Sequence, residues 1–261
     1  MKSSDEWVDL VPEPDIANID IVLNRPRYPE NIGATARAVR NMGLGRLVVV
    51  NPENCDLPRI LKMATHAASE VVDQMDRYDD LKVALSPYHY IVGTTARLGG
   101  QRQTVTSPKE MAKTLIPMTP TNRAAILFGP EDRGLSNHAI RFCHLLVNIP
   151  TAEFSSLNLA QAVMILCYEI HSAGRTVTGP ATPRLADRHE LEGMYDQLKE
   201  ILIRIDFVNR ENPDYWMNNL RRFFNRLPLR AKEVRIIRGI CRQIDWYSKK
   251  CYRDGKKSIE N

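Results

Sequence analysis

The chain has 261 residues, 43% of them hydrophobic and 26% charged, with a formal net charge of +5. That length suits one large domain or a medium domain with a smaller appendage, and the composition, free of low-complexity tracts, is that of a globular protein rather than a disordered one. No apolar run approaches the roughly 20 residues that cross a bilayer, and the polar, acidic, proline-broken residues 1–18 form no signal peptide; the expectation is a cytoplasmic protein with no membrane attachment.

After that N-terminal arm, five nearly continuous runs of Val, Ile and Leu predict buried strands: IDIVLN (19–24), RLVVVN (46–51), HYIVGT (89–94), AAILFG (124–129) and LLVNIP (145–150). Helical patterns fall between them, at about 31–42, 58–71, 78–85, 107–115 and 136–142, and a last helix runs from Leu157 to Ala173. Such alternation predicts an α/β domain over 19–173, a mostly parallel sheet with helices on both faces. Ligands of these sheets sit beyond the carboxyl ends of the strands, so the loops that follow strands should hold the chemistry. Residues 174–187, GRTVTGPATPRLAD, have no periodicity and read as a linker. Residues 188–261 then predict a small all-α domain, opening on a helical stripe of Leu191, Met194, Tyr195, Leu198, Ile201, Leu202 and Ile205.

Charge is unevenly placed. Residues 186–261 hold 17 Lys/Arg against 12 Asp/Glu, while the rest of the chain is balanced at 19 of each. Between Asn218 and Ser258 the imbalance sharpens to 13 against three. Such a segment suits a polyanion, although a solvated basic helix face has the same composition. The five cysteines are scattered, with no C-x-x-C pair, and the six histidines have no H-E-x-x-H spacing. Free thiols in a reducing cytosol and no metal site are expected.

Four segments carry unusual residues. In RPRYPENIGATARAVRNMGL (25–44), a helix of small residues, Gly33, Ala34, Ala36 and Ala38, surrounds a lone Arg37, with Asn31 at its mouth. VGTTARLGG (92–100) places Thr94, Thr95 and Ala96 at a strand's carboxyl end beside a Gly99–Gly100 turn. LFGPEDRGLS (127–136) sets Glu131 and Asp132 between Gly129 and Gly134, with Ser136 placed to cap the next helix. IPTAEFSSLNLAQAV (149–163) puts Ser155, Ser156 and Asn158 at a helix start, where free N–H groups can hold a ligand. Taken singly, each could be a turn or a helix cap. Neither a G-x-G-x-x-G nor a P-loop is present.

Together these loops resemble the SPOUT superfamily of RNA methyltransferases, in its TrmH (SpoU) branch. NIGATAR resembles the family's N-x-G-x-x-x-R, LFGPEDRGLS its F-G-x-E-x-x-G-L, and IPTAEFSSLNLAQAV the segment ending in S-L-N-x-x-x-A, in the family's order over about 19–172. The helical appendage, with IDFVNRENP, LRRFFNRL and VRIIRGI, resembles the C-terminal extension of TrmJ-like tRNA methyltransferases.

The resemblance implies a deep trefoil knot, a homodimer with the active site near its interface, and S-adenosylmethionine bound in a bent form. Its cofactor residues would be Thr94, Thr95, Ala96, Gly129, Gly134, Asn148, Ile149, Ser155, Ser156 and Leu157. Arg37, Asn31, Glu131, Ser156 and Asn158 would form the catalytic set. The family proposal makes Arg37 the general base, yet a guanidinium is effectively always protonated. Orientation and charge stabilisation suit it better, with a phosphate oxygen or Ser156 relaying the proton. Asn31 is placed to bond Arg37 or the ribose, and Glu131 to receive a hydrogen bond from Asn31 or Arg37. Arg221, Arg222, Arg226, Arg230, Lys232, Arg235, Arg238 and Arg242 would grip tRNA phosphates. Three functions stay open: tRNA 2′-O-methylation in the anticodon loop at position 32 (cytidine or uridine), rRNA 2′-O-methylation, and RNA binding without turnover.

Overall fold

Runs of β-branched residues favour extended backbone buried on both faces, and seven strands form: β1 (Ile19–Asn24), β2 (Leu47–Val50), β3 (Asp76–Tyr78), β4 (Tyr90–Thr94), β5 (Val105–Thr106), β6 (Ala124–Phe128) and β7 (Leu145–Val147). The structure, a computed structural model, describes residues 13–96, 105–153, 156–176 and 180–259. Most of the N-terminal arm, the Gly99–Gly100 turn, part of the linker and Ser155 lie outside the described residues. All strands pair in parallel, in the order β3-β2-β1-β6-β4-β7-β5.

Among the described residues ten α-helices follow in chain order: α1 (Pro29–Met42), α2 (Leu57–Ala64), α3 (Ser69–Asp73), α4 (Leu81–Leu85), α5 (Pro108–Leu115), α6 (Asn137–Ile140), α7 (Leu159–Gly174), α8 (Arg188–Arg204), α9 (Pro213–Asn225) and α10 (Ala231–Ile259). Helices α1 to α7 cover the two sheet faces, while α8, α9 and α10 share a core of their own around Met194, Tyr195, Met217 and Val234. Ile19, Ile21 and Leu23 of β1 point into one core with Ile32, Val39, Ile60, Leu115 and Leu166. Val22 points into the other, with Leu85, Tyr88, Ala139 and Phe142. The alternation is the pleat itself.

Three differences from the sequence reading have local causes. The edge strands β3 and β5 are short and lack an apolar run, so hydrophobic patterning does not reveal them. The helix expected over 58–71 is interrupted at Thr65, whose φ of 58° ends α2. The described end of the linker, 180–187, is strapped down: the buried Asn122 side chain accepts the Leu185 N–H at 2.8 Å and donates to the Thr182 carbonyl at 3.1 Å.

A capping box starts α8, with Asp187 and Glu190 satisfying each other's backbone N–H groups, a device that stabilises a helix start by about 1 kcal/mol. The helical module then docks through a buried cation. Arg188 is 0% exposed, donates to Glu192 at 2.7 Å and to Asn225 at 3.4 Å, and lies over the rings of Phe142 and Tyr195. Asn225 in turn donates to the Arg141 carbonyl, just past α6, at 2.8 Å. Among the described residues no helix is long and apolar enough to cross a membrane, and no cluster of His, Cys, Asp or Glu could hold a metal.

Candidate functional site

Loops at the carboxyl ends of β4, β6 and β7 enclose a cleft of about 530 Å³, within the range of about 300–1,000 Å³ usual for small-molecule sites. Of the expected cofactor residues, Thr94, Thr95, Ala96, Gly129, Gly134, Ile149, Ser156 and Leu157 line it.

The loop after β6 needs both its glycines. It folds back so tightly that a Cβ on Gly129 would lie 2.2 Å from the carbonyl carbon of Gly134. Gly134 itself has a φ of 67°, a conformation side-chain-bearing residues seldom adopt. Ser136 caps α6 by accepting the Ala139 N–H. Thr94 donates its hydroxyl to the Leu127 carbonyl, tying β4 to β6.

Asn148, also among the expected cofactor residues, is not part of the cleft lining. Its side chain donates to the Thr95 carbonyl at 2.8 Å and its backbone N–H to the Thr106 carbonyl, so it braces the cleft wall from behind. Ser155 lies outside the described residues.

Beneath the cleft, one chain of hydrogen bonds joins three loops. Asn158 donates to Asn31 Oδ1 at 2.9 Å, and Asn31 donates to Glu131 Oε1 at 2.7 Å. Glu131 also accepts the backbone N–H of Arg27 at 2.9 Å and, more loosely, that of Tyr28. Tyr28 precedes α1 without a side-chain cap, so this half-buried carboxylate supplies acceptors and favourable charge where the helix begins. Asn158 also accepts the Ala160 and Gln161 N–H groups, which makes it the cap of α7. Glu131 thus serves the start of α1 directly and is linked to the cap of α7 through Asn31.

Arg37 is placed otherwise. It lies exposed on α1, outside the cleft lining, its side chain without a hydrogen bond or ion pair to another described residue. Asn31 bonds Glu131 and Asn158 instead, so neither it nor Glu131 meets the guanidinium. The small residues around Arg37 do allow close packing: a Cβ on Gly33 would come 2.1 Å from the Ile60 carbonyl oxygen of α2. At the cleft rim, Asp132 bridges Arg27 and Arg133, and these cations hold its carboxyl below the usual range.

The expected phosphate-binding cations fall into two groups. Arg222, Arg226, Arg230, Lys232, Arg235 and Arg242 are exposed. Arg221 is committed internally: it forms a two-pronged pair with Glu192 at 2.6 and 2.8 Å and lies 4.3 Å over the Tyr195 ring. Arg238 is half-buried and donates to Gln197. The buried Arg188–Glu192 pair was not apparent in the sequence, although an Arg and a Glu four residues apart on one helix was the available signal.

Comparison with known proteins agrees with this geometry. The SpoU rRNA Methylase family matches residues 18–168, and the family described as tRNA methyltransferase TrmJ, C-terminal domain, matches residues 189–256. The tRNA (cytidine/uridine-2′-O-)-methyltransferase TrmJ of Sodalis glossinidius is 36% identical over 236 residues, covering 87% of this chain and 91% of that protein. The protein of the same name from Escherichia coli K12 is 34% identical, covering 90% and 98%. The crystal structure of TrmJ from Z. mobilis ZM4 superposes with a TM-score of 0.75 at 29% identity, over 87% of this chain and 98% of that one.

Proposed function

The chain belongs to the SpoU methylase family, and on that footing we propose that it methylates the ribose 2′-hydroxyl of a cytidine or uridine in tRNA, using S-adenosylmethionine. The observation that carries the reading is the Glu131–Asn31–Asn158 chain, which ties the three motif loops into one site beside a cofactor-sized cleft. The relatives named as tRNA enzymes align through the helical module as well, which favours tRNA over rRNA. The anticodon loop, at position 32, is the site we assign.

The cleft suits the cofactor. Its lining joins small residues, among them Thr94, Thr95, Ala96 and Ser156, to apolar ones such as Ile149 and Leu157, with the close Gly129–Gly134 approach shaping one side. When bound there, S-adenosylmethionine supplies an electrophilic methyl carbon. The trefoil knot implied by the resemblance belongs to the same proposal, at the end of the sheet where β7 lies between β4 and β5.

Transfer is an in-line displacement, so the ribose oxygen must be aligned and its proton must leave. Arg37 acts as a cation, clamping the phosphate beside the target ribose. That leaves an RNA phosphate oxygen to take the ribose proton, either directly or through the Ser156 hydroxyl, which passes its own proton on as it receives one. Arg37 stands free and away from its own cleft, which supports a homodimer in which it serves the partner's cleft. The exposed cations of α9 and α10 hold the tRNA body by its phosphates. A tRNA substrate supports the reading of a cytoplasmic enzyme.

The test is tritiated methyl transfer to unmodified tRNA transcripts by the wild type and Arg37→Ala, followed by mapping of the modified nucleotide. Transfer to one anticodon-loop ribose, abolished by the substitution, is expected. Transfer to rRNA fragments alone would sink the tRNA assignment, and failure on both would leave an RNA binder.

A further inference from the structure

A second cavity, of about 200 Å³, opens beside the cofactor cleft, at the carboxyl ends of β1 and β2. Ser136 lines both cavities. The floor is apolar, from Val50, Leu81 and Ala139, while Asn24, Arg25, Asn51, Asp79 and His138 stand around it. Arg25 and Asp79 share this space without an ion-pair partner among the described residues.

Two of these residues hold rare backbone conformations. Arg25 has a φ of 56° and Asn51 a φ of 43°, and each is the residue directly after its strand. Both are pinned there: the Arg25 N–H donates to the Val50 carbonyl and the Asn51 N–H to the Tyr78 carbonyl, each at 2.7 Å. Glycine is the easy occupant of such positions, and asparagine is tolerated, but an arginine is uncommon. Strain of this kind gathers at functional sites.

The chemistry of the rim narrows the ligand. A phosphate would meet the Asp79 carboxylate, which repels it. A purely apolar group would leave two amides, a guanidinium and a carboxylate without partners. A planar ring with both donors and acceptors on its edge satisfies the set, lying on the apolar floor with its edge toward the rim. We propose that this cavity takes an RNA base flanking the methylated ribose and reads its edge through Arg25, Asn51 and Asp79. The assignment rests on the tRNA methylation proposed above.

Steady-state transfer to tRNA transcripts tests it, with the nucleotide on each side of the methylated residue changed in turn. The proteins compared are wild type, Arg25→Ala, Asn51→Gly and Asp79→Asn. The wild type is expected to favour one base at one flank by about tenfold in kcat/KM, the lower range of a base-edge contact. Each variant should lose that preference while its affinity for S-adenosylmethionine is unchanged. Asn51→Gly separates recognition from folding, because glycine relaxes the backbone there and its Tm should not fall. A wild type indifferent to both flanking bases, or variants that keep the preference, would overturn the assignment while leaving the methylation reading intact. A wild type that modifies no transcript would sink both.

Discussion

The side chain of Asn158 donates a hydrogen bond to Asn31 across 127 residues of sequence, at 2.9 Å. Asn31 is 7% exposed and passes the connection on to Glu131. Asn31→Ala removes both bonds and leaves a half-buried carboxylate short of a donor. The expected cost is about 1–3 kcal/mol of stability. Turnover should fall about a hundredfold as the three loops lose register. Urea denaturation and kcat, measured on the same preparation, check this; wild-type kcat in a destabilised variant would reduce the chain of bonds to scaffolding.

Arg37 gives the opposite pattern. It has no partner among the described residues, so Arg37→Ala should change stability by less than about 0.5 kcal/mol. If its guanidinium holds the phosphate beside the target ribose, losing about 3 kcal/mol of charge-assisted bonding lowers kcat/KM roughly a hundredfold or more. Arg37→Lys should recover only part of this, since an ammonium lacks the planar fork. Thermal denaturation beside methyl transfer reads both effects. A large drop in Tm would mean the side chain has structural partners instead.

Much of this site is legible without coordinates, and what is not has physical causes. Asn31, Glu131 and Asn158 stand in motifs whose order and spacing single them out, but their mutual bonding depends on how three distant loops converge. No local pattern encodes that Asn31 turns toward Glu131 rather than Arg37. Strands β1, β2, β4, β6 and β7 announce themselves through continuous apolar runs, whereas β3 and β5 sit at the sheet edges, where one neighbour and partial exposure demand little of the sequence. The linker misleads for a related reason. Its Gly, Pro and Thr content favours irregular backbone, yet Leu185 and Ala186 are buried, because Asn122 and the Leu229 carbonyl receive their N–H groups.

Removing Glu192 should be among the most damaging single changes outside the cleft. Its carboxylate faces Arg188, Arg221 and, at 3.7 Å, Lys82, and burial disfavours the charge of Arg188. Glu192→Ala would strand a buried guanidinium, at a cost of about 3–5 kcal/mol. Undocking of the helical module should follow, seen as protease cleavage between residues 176 and 188 at concentrations the wild type resists. Equal resistance in the variant would show that apolar contacts alone hold the module.

The cations of the module should divide by salt dependence. Arg222→Ala, Arg226→Ala and Arg235→Ala remove exposed charges, so each that meets a phosphate lowers the slope of log affinity for tRNA against log salt by about 0.7–0.9. Arg221→Ala should lose stability instead, since its guanidinium is spent on Glu192 and Tyr195. Fluorescence anisotropy with labelled tRNA at several salt concentrations distinguishes them; a slope unchanged in all three exposed variants would move the tRNA surface elsewhere.

His144 links pH to stability. Its Nδ1 accepts the Ile91 N–H at 3.0 Å, and its ring stacks on Tyr90. Burial, aided by the charge of Arg188, pushes its pKa down from 6.5 to about 3. The folded protein therefore keeps this imidazole neutral where the unfolded chain already protonates it. Above about pH 6.5 both states are neutral and His144 adds no pH dependence. Between about pH 6.5 and 3 the unfolded state binds the extra proton, so stability falls with falling pH, by at most about 1.4 kcal/mol per unit from this group. His144→Gln keeps an acceptor for Ile91 and removes the titration. The measurement is the difference in unfolding free energy between wild type and variant at pH 7.5 and pH 5.0, since carboxylates and His89 contribute to both alike. The gap should shift in the variant's favour by about 2 kcal/mol on acidification, and a gap that stays constant would mean that His144 is protonated in the fold.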